Sequence, residues 1–251
     1  MRPMLNNISR RMKKIARRAL RNAGYSPKLR FGSFGKLTPV SRSFGLDRGW
    51  PINRYYIEKF LAQHALDIKG TTLEAGGLVN YTREFGGSNV TKADVLYPKE
   101  GFPDATVIGD LATGIGIPLD NYDCIILTQV YGFIFDLAGA IQNTYQALKP
   151  GGVLLATLPG ITKIPRYDLE QWGDYWRFTE ACAVRLFGNV FGSENVVVAA
   201  YGNVLVACSL LQGLAQQDLQ PHQLEHNDPD YQVIITVRCV RPERPSPSAE
   251  S

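Results

Sequence analysis

Acidic residues and glycines in the middle of the chain recur at the spacing expected of a ligand site built along the edge of a parallel sheet. Glu74 closes an apolar stretch and is followed by Gly76 and Gly77, where missing side chains let a ligand approach the backbone. Asp94 follows twenty positions later, after a second apolar stretch, where a carboxylate can accept hydrogen bonds from both hydroxyls of a ribose. Asp110 comes after a third stretch, where it can accept from an exocyclic amine, with Leu111 set against a flat ring. Thr128, Gln129, Val130 and Tyr131 follow a fourth and would border both a cofactor and a substrate. Each feature has a plainer alternative, since Gly76 and Gly77 suit an ordinary strand-to-helix turn and Asp110 suits a turn cap. Acids after three successive strands favour nucleoside binding.

Substrate-side chemistry is expected in "RYDLEQWGDYWRFT", after a fifth apolar stretch. The faces of Trp172, Tyr175 and Trp176 suit sugar rings, Asp174 can accept a hydroxyl proton, and Arg177 can hold a phosphate or carboxylate. Asp174 and Tyr131 are therefore the candidate catalytic groups. The alternative for this stretch is structural, with Trp176 and Phe178 in the core and Thr179 as a helix N-cap. His222 and His226 lie four apart with Asp228 and Asp230 beyond, but "PHQLEHNDPDY" reads as a polar connection, and no metal site is expected.

Alternating strands and helices must position these residues. Strands are expected at "TTLEAG", "NVTKADVLY", "DATVIGDL", "YDCIILTQV", "GGVLLATLPG", "NVVVAAYG" and "YQVIITVRCV". The unbroken apolar runs "CIIL" and "GVLLATL" suit central strands covered on both faces. Helices are expected at "NRYYIEKFLAQHALDI", "FIFDLAGAIQNTYQALK", "TEACAVRLFGNVF" and "GNVLVACSLLQGLAQQDL". The pattern predicts a doubly wound, mostly parallel α/β sheet of seven strands with the last antiparallel.

The charge is unevenly spread. The first 46 residues hold 12 of the 27 Lys and Arg and no acid, leaving 15 bases against 23 acids in the remainder. Ile8, Met12, Ile15, Ala16 and Leu20 recur at helical spacing among bases, so residues 1–46 read as a short basic amphipathic helix and an irregular linker. Such a helix can lie on anionic lipid, contact a partner protein or dock on the acidic remainder. Nucleic acid is disfavoured, because no aromatic residues are interleaved for base stacking. Residues 47–241 read as the folded domain and 242–251 as a disordered tail. The four cysteines form no C-x-x-C pair, and the basic N-terminus lacks the apolar core of a secretory signal. A cytoplasmic protein is expected, with the inner membrane face as a place for the arm to rest.

The succession "LEAGG…ADV…GDL…YDCIILTQV…ALKPGGVLLATLPG" resembles the class I S-adenosylmethionine-dependent methyltransferases over roughly residues 73–240. "RGWPINRYYIEKFL" and "WGDYWRFT" resemble a bacterial subgroup met near polysaccharide glycosyltransferases. The resemblance implies a Rossmann-like fold and S-adenosylmethionine as cofactor. It places Glu74, Gly76 and Gly77 in the first cofactor loop, Asp94 on the ribose and Asp110 near the adenine. It further implies O-methylation of a sugar or glycan precursor, with a glycosyltransferase as partner; a non-catalytic scaffold of the same fold is the alternative. The first loop departs from the family pattern, since Leu78 and Asn80 stand where the second and third loop glycines would fall. A nicotinamide-dependent oxidoreductase is disfavoured, because G-x-G-x-x-G is missing.

Overall fold

The computed structural model describes residues 32–77 and 79–243. The basic helix expected over residues 8–24, Leu78 and residues 244–251 of the tail lie outside the described residues. The chain divides into two compact units, Met1–Thr38 and Pro39–Ser251. Of the first, residues 32–38 are described and open with a 3-10 turn over Gly32–Gly35.

The second unit carries seven strands: β1 (Gly70–Ala75), β2 (Val90–Tyr97), β3 (Val107–Ile108), β4 (Tyr122–Thr128), β5 (Leu148–Pro159), β6 (Val196–Tyr201) and β7 (Ile234–Val240). Their order in one sheet is β3-β2-β1-β4-β5-β7-β6. Pairing is parallel from β3 through β5, and β7 runs antiparallel between β5 and β6. The expected seven-stranded, mostly parallel sheet with a reversed last strand is the one observed, and the fold is Rossmann-like.

Period-two alternation along the central strands separates two cores. Cys124 and Ile126 of β4 and Val153 and Leu155 of β5 pack under helix α1 (Ile52–Gln63), through Ile57, Phe60 and Leu61. Ile125, Leu127, Leu154 and Ala156 face the other way, toward α2 (Leu137–Ala147) and α4 (Glu180–Phe191). Both faces being covered explains why "CIIL" has no polar residue.

Helix ends follow local chemistry. The Asp136 side chain accepts from the Gly139 amide at 3.0 Å, so α2 starts at Leu137 and not at Phe133 as expected, and Phe133 closes a separate 3-10 turn, Tyr131–Phe133. Thr179 caps α4 by accepting from the Cys182 amide at 3.3 Å, as the structural alternative predicted. The helix expected over residues 202–219 is α5 (Val204–Gln212), stopped by Gly213 in the left-handed region at φ 73°. Two short helices were not expected: α3 (Arg166–Trp172) and α6 (Pro221–Glu225), the latter where a polar connection was predicted.

The folded unit begins ahead of the expected boundary at residue 47. Ser41 is buried and donates its amide to the Gln212 carbonyl at 3.0 Å. A Cβ on Gly213 would stand 2.1 Å from the Ser41 carbonyl oxygen, and one on Gly45 would stand 2.6 Å from that of Leu214. Both glycines have positive φ, and their missing side chains let two backbone segments cross in contact. The stretch read as a linker is, from Pro39 onward, part of the body.

Candidate functional site

The strand order reverses between β1 and β4, and in such sheets ligands bind beyond the carboxyl ends of the strands at that point. A cleft of about 1300 Å³ lies there, walled by the ends of β1, β2 and β4, by Pro39–Leu46, and by the segment from Lys163 to Trp172. A small-molecule site commonly occupies roughly 300–1,000 Å³, so this cleft has room for two ligands together.

Glu74 is buried next to the end of β1. Its Oε1 accepts from the Tyr81 amide at 3.0 Å and its Oε2 from the Thr82 amide at 2.9 Å. Burial pushes its pKa up, while the two amides and the Arg54 charge pull against that. The carboxyl group thus ties down the loop that follows β1. Within that loop the Gly76 amide donates to the Leu96 carbonyl at 2.8 Å. A Cβ on Gly76 would meet the Phe102 ring at 2.9 Å and the Tyr97 ring at 3.1 Å. Those rings stack in parallel with centroids 4.5 Å apart. A Cβ on Gly77 would meet nothing within 4 Å, so this residue opens on the cleft. Asn80, one of the two departures from the glycine pattern, turns its Oδ1 to the Arg83 amide at 2.9 Å and caps the next turn, outside the cleft wall.

Asp110 and Leu111 line the cleft as expected. The Asp110 carboxylate accepts from the Ala112 amide at 2.8 Å and the Thr113 hydroxyl at 3.1 Å, so it caps its own turn as well as facing the cleft. Thr128 and Gln129 also line it. Gln129 is held at φ 62°, its amide donating to the Thr157 carbonyl at 2.8 Å and its side chain to the Thr157 hydroxyl at 3.1 Å. Trp172 lines the cleft too, edge-on to Tyr97 at 5.5 Å, with the Lys99 ammonium 4.3 Å over its ring.

Five expected site residues stand elsewhere. β2 continues to Tyr97, so Asp94 lies within the strand, opposite Leu73. It is buried outside the cleft wall, accepting from the Lys92 ammonium at 2.7 Å and the Thr106 hydroxyl at 2.9 Å. The cleft wall at the end of β2 is made by Leu96, Tyr97 and Pro98, with no carboxylate. Tyr131 is fully buried against Phe187, donating its hydroxyl proton to Thr144 at 2.9 Å, and burial raises its pKa far above the usual phenol range. Asp174 has a side chain only 4% exposed, and both its oxygens take Arg177 guanidinium bonds at 2.7 Å. That pairing occupies Arg177 too, which also donates to the Trp176 carbonyl at 2.8 Å. Trp176 donates its indole N–H to the Ile134 carbonyl at 3.0 Å and stacks on Phe135. None of Asp174, Trp176 and Arg177 lines the cleft.

Asp168 does, and the sequence reading passed over it. It is half-buried on α3, and its carboxylate has no hydrogen bond among the described residues. Burial pushes its carboxyl up, the neighbouring Asp174 adds to the rise, and Lys163 opposes it. A carboxyl group with free oxygens and a raised pKa is suited to take a proton. Its signal was in the quoted stretch, six positions before Asp174, but a helix of seven residues offers too little periodicity to tell its faces apart. Arg54 and Phe44 were likewise missed, the first on the inner side of α1 and the second in the supposed linker.

No protein-family model and no curated protein matches the chain. Among solved structures, it is similar to an S-adenosylmethionine-dependent methyltransferase from Mesorhizobium loti, with 14% identity over 78% of this chain and 100% of that one, at a TM-score of 0.49. It is also similar to the N-methyltransferase NodS from Bradyrhizobium japonicum in complex with S-adenosyl-L-homocysteine, with 14% identity over 84% of this chain and 97% of that one, at a TM-score of 0.47. Likeness at this level is likeness of fold.

Proposed function

We propose that the cleft binds S-adenosylmethionine and that the protein transfers its methyl group to an oxygen of a sugar or glycan precursor on the cytoplasmic side. The observation that carries this reading is the cleft itself: it lies at the strand-order reversal, has the volume for two ligands, and is lined by Gly77, Asp110, Leu111 and Thr128. The reversed β7 between β5 and β6 also sets the sheet apart from the all-parallel 3-2-1-4-5-6 order of dinucleotide-binding folds.

The residues present fit the cofactor. Gly77 offers close backbone approach, and Arg54, which donates to the Tyr81 hydroxyl and lines the same cleft, complements a carboxylate. Asp110 keeps lone-pair capacity beyond its two turn bonds, enough to accept from an adenine amine, with Leu111 against the ring. Tyr97 supplies a phenol where an acid was expected for the ribose. Bound there, the cofactor would supply an electrophilic methyl on a sulfonium. The protein aligns the acceptor, excludes water and takes a proton, and Asp168 is the acid placed to do the last. The faces of Trp172, Tyr167 and Tyr175, together with the subgroup resemblance, support a sugar-containing acceptor.

One observation favours a second reading, a non-catalytic module that serves as partner to a glycosyltransferase: the end of β2 brings no carboxylate to the cleft. Calorimetric titration with S-adenosylmethionine and S-adenosylhomocysteine separates the two. Micromolar binding is expected, and Gly77→Leu should weaken it by roughly tenfold or more while leaving the unfolding midpoint in place, because that side chain fills cleft space and not core. A well-folded sample that binds neither ligand at millimolar concentration would leave the scaffold reading.

A further inference from the structure

Two stretches complete the cleft beyond the strand ends: residues 39–46 ahead of α1, and the residues from 163 onward that lead into α3. Their charged cleft-lining side chains are three cations, Arg42, Lys163 and Arg166, and one acid, Asp168. The Lys163 ammonium donates to the Arg42 carbonyl at 2.9 Å and stands 3.5 Å from the centroid of the Phe44 ring. Burial lowers its pKa and the charge of Arg42 lowers it further, so the two cations are near enough to repel, while Asp168 alone pulls the other way. The guanidinium groups of Arg42 and Arg166 are exposed and have no ion pair or hydrogen bond among the described residues. The other two acids of the cleft, Glu74 and Asp110, stand at the strand ends, where the charge of Arg54 acts on Glu74.

Positive charge left unneutralised in a concavity attracts and orients anions. Beside it stands apolar surface left exposed by the described residues: Phe135 is 70% exposed, Ile164 50%, Tyr167 75% and Tyr175 50%, and all four line the same cleft. Uncovered apolar side chains rimmed by charge mark a binding surface.

We propose that the acceptor is an anion with a ring or apolar body, its phosphate or carboxylate held by Arg42, Lys163 and Arg166 and its body laid against Phe135, Tyr167 and Tyr175. The word acceptor rests on the methyl-transfer reading; the preference for an anion does not. A cationic amine would be repelled by this wall, and a neutral molecule would leave its charges unmatched. In the transfer, a hydroxyl oxygen of this molecule forms a bond to the methyl carbon as the carbon–sulfur bond breaks. The electron pair of that bond stays on sulfur, which becomes a neutral thioether, and the hydroxyl proton passes to a carboxylate oxygen of Asp168. The anionic group takes no part beyond positioning.

The test is a titration of the full chain with 2-naphthyl phosphate, 2-naphthol and 2-naphthylmethylammonium, with and without saturating S-adenosylhomocysteine. The phosphate should bind roughly tenfold or more tighter than either of the others, the size expected when charge-assisted hydrogen bonds are gained. The double variant R42Q/R166Q should lose that advantage, whereas R185Q on the exposed face of α4 should keep it. Equal or tighter binding of the neutral or cationic probe, a preference that survives R42Q/R166Q, or no binding of any probe below millimolar would overturn the proposal. Binding of S-adenosylhomocysteine, followed by calorimetry in the same samples, reports separately on methyl transfer. An anion preference without it would retain the site and remove the reaction, and its presence without a preference would do the reverse.

Discussion

Asp94 accepts hydrogen bonds from Lys92 and Thr106 within β2, three residues short of the strand's end at Tyr97. The end of a strand is set by its pairing, here Ala75 with Leu96 and Tyr97 with Ile108, and a carboxylate in an apolar run does not disclose where that pairing stops. Gly76, Gly77, Asp110 and Leu111 reach the cleft because each follows the end of its strand, and Thr128 because it is the last residue of β4. Tyr131 and Asp174 were misplaced for another reason: a titratable residue in the right stretch carries no mark of the face it turns to. Asp94→Ala and Tyr131→Phe should therefore leave S-adenosylhomocysteine affinity unchanged within about twofold while lowering stability. For Tyr131→Phe the loss should be about 1 kcal/mol, the usual net worth of one hydrogen bond. Urea unfolding and calorimetry on the same samples check this, and a tenfold loss of affinity in either variant would return that residue to the cleft.

Elements with strong local signals were legible, and those defined by a tertiary crossing were not. α4 begins where Thr179 can accept from the Cys182 amide, and α2 begins where Asp136 can accept from that of Gly139. The unbroken apolar runs of β4 and β5 marked the centre of the sheet. α3 leaves little trace in the sequence because seven residues hold barely two turns, and the helical pattern of α5 runs past its end because apolar residues continue beyond Gly213. Gly213 stops the helix by turning left-handed, at φ 73°, and the Ser41 carbonyl 2.1 Å from its would-be Cβ, a contact made across the fold, leaves room for no larger residue. Thr179→Ala should cost about 1 kcal/mol, as loss of an N-cap does. Gly213→Ala should cost more, since it adds a forbidden backbone angle to a backbone clash. Equal unfolding midpoints for the two variants would mean that the crossing of residues 39–49 over the end of α5 contributes nothing to stability.

Across the whole molecule, buried or half-buried carboxylates fasten distant elements. The Asp67 carboxylate, just ahead of β1, takes both guanidinium bonds of Arg238 on β7, at 2.8 and 2.9 Å. Burial works to raise its pKa, but Arg238, and then His64, outweigh burial and hold it below the ordinary value of 3.8. Asp123 is likewise held low, against burial, by the Lys149 ammonium and the Thr71 amide, both at 2.7 Å. A depressed carboxylate stabilises the fold above its unfolded pKa, and that stability is lost as the pH falls through the lower folded value. The chain should therefore lose stability as the pH drops below about 4, and Asp67→Asn should flatten that limb; an unaltered acid profile in urea unfolding would show that the pair is not what holds β7 to the start of the sheet. Trp172 carries one more consequence. It is one of three tryptophans in the chain, and the only one of them in the cleft wall, under the Lys99 ammonium and against the Tyr97 ring. Any ligand that displaces that ammonium or dries that ring alters the indole's emission, so the molecule is its own fluorophore, and an unlabelled sample in a cuvette can report whether the cleft is filled.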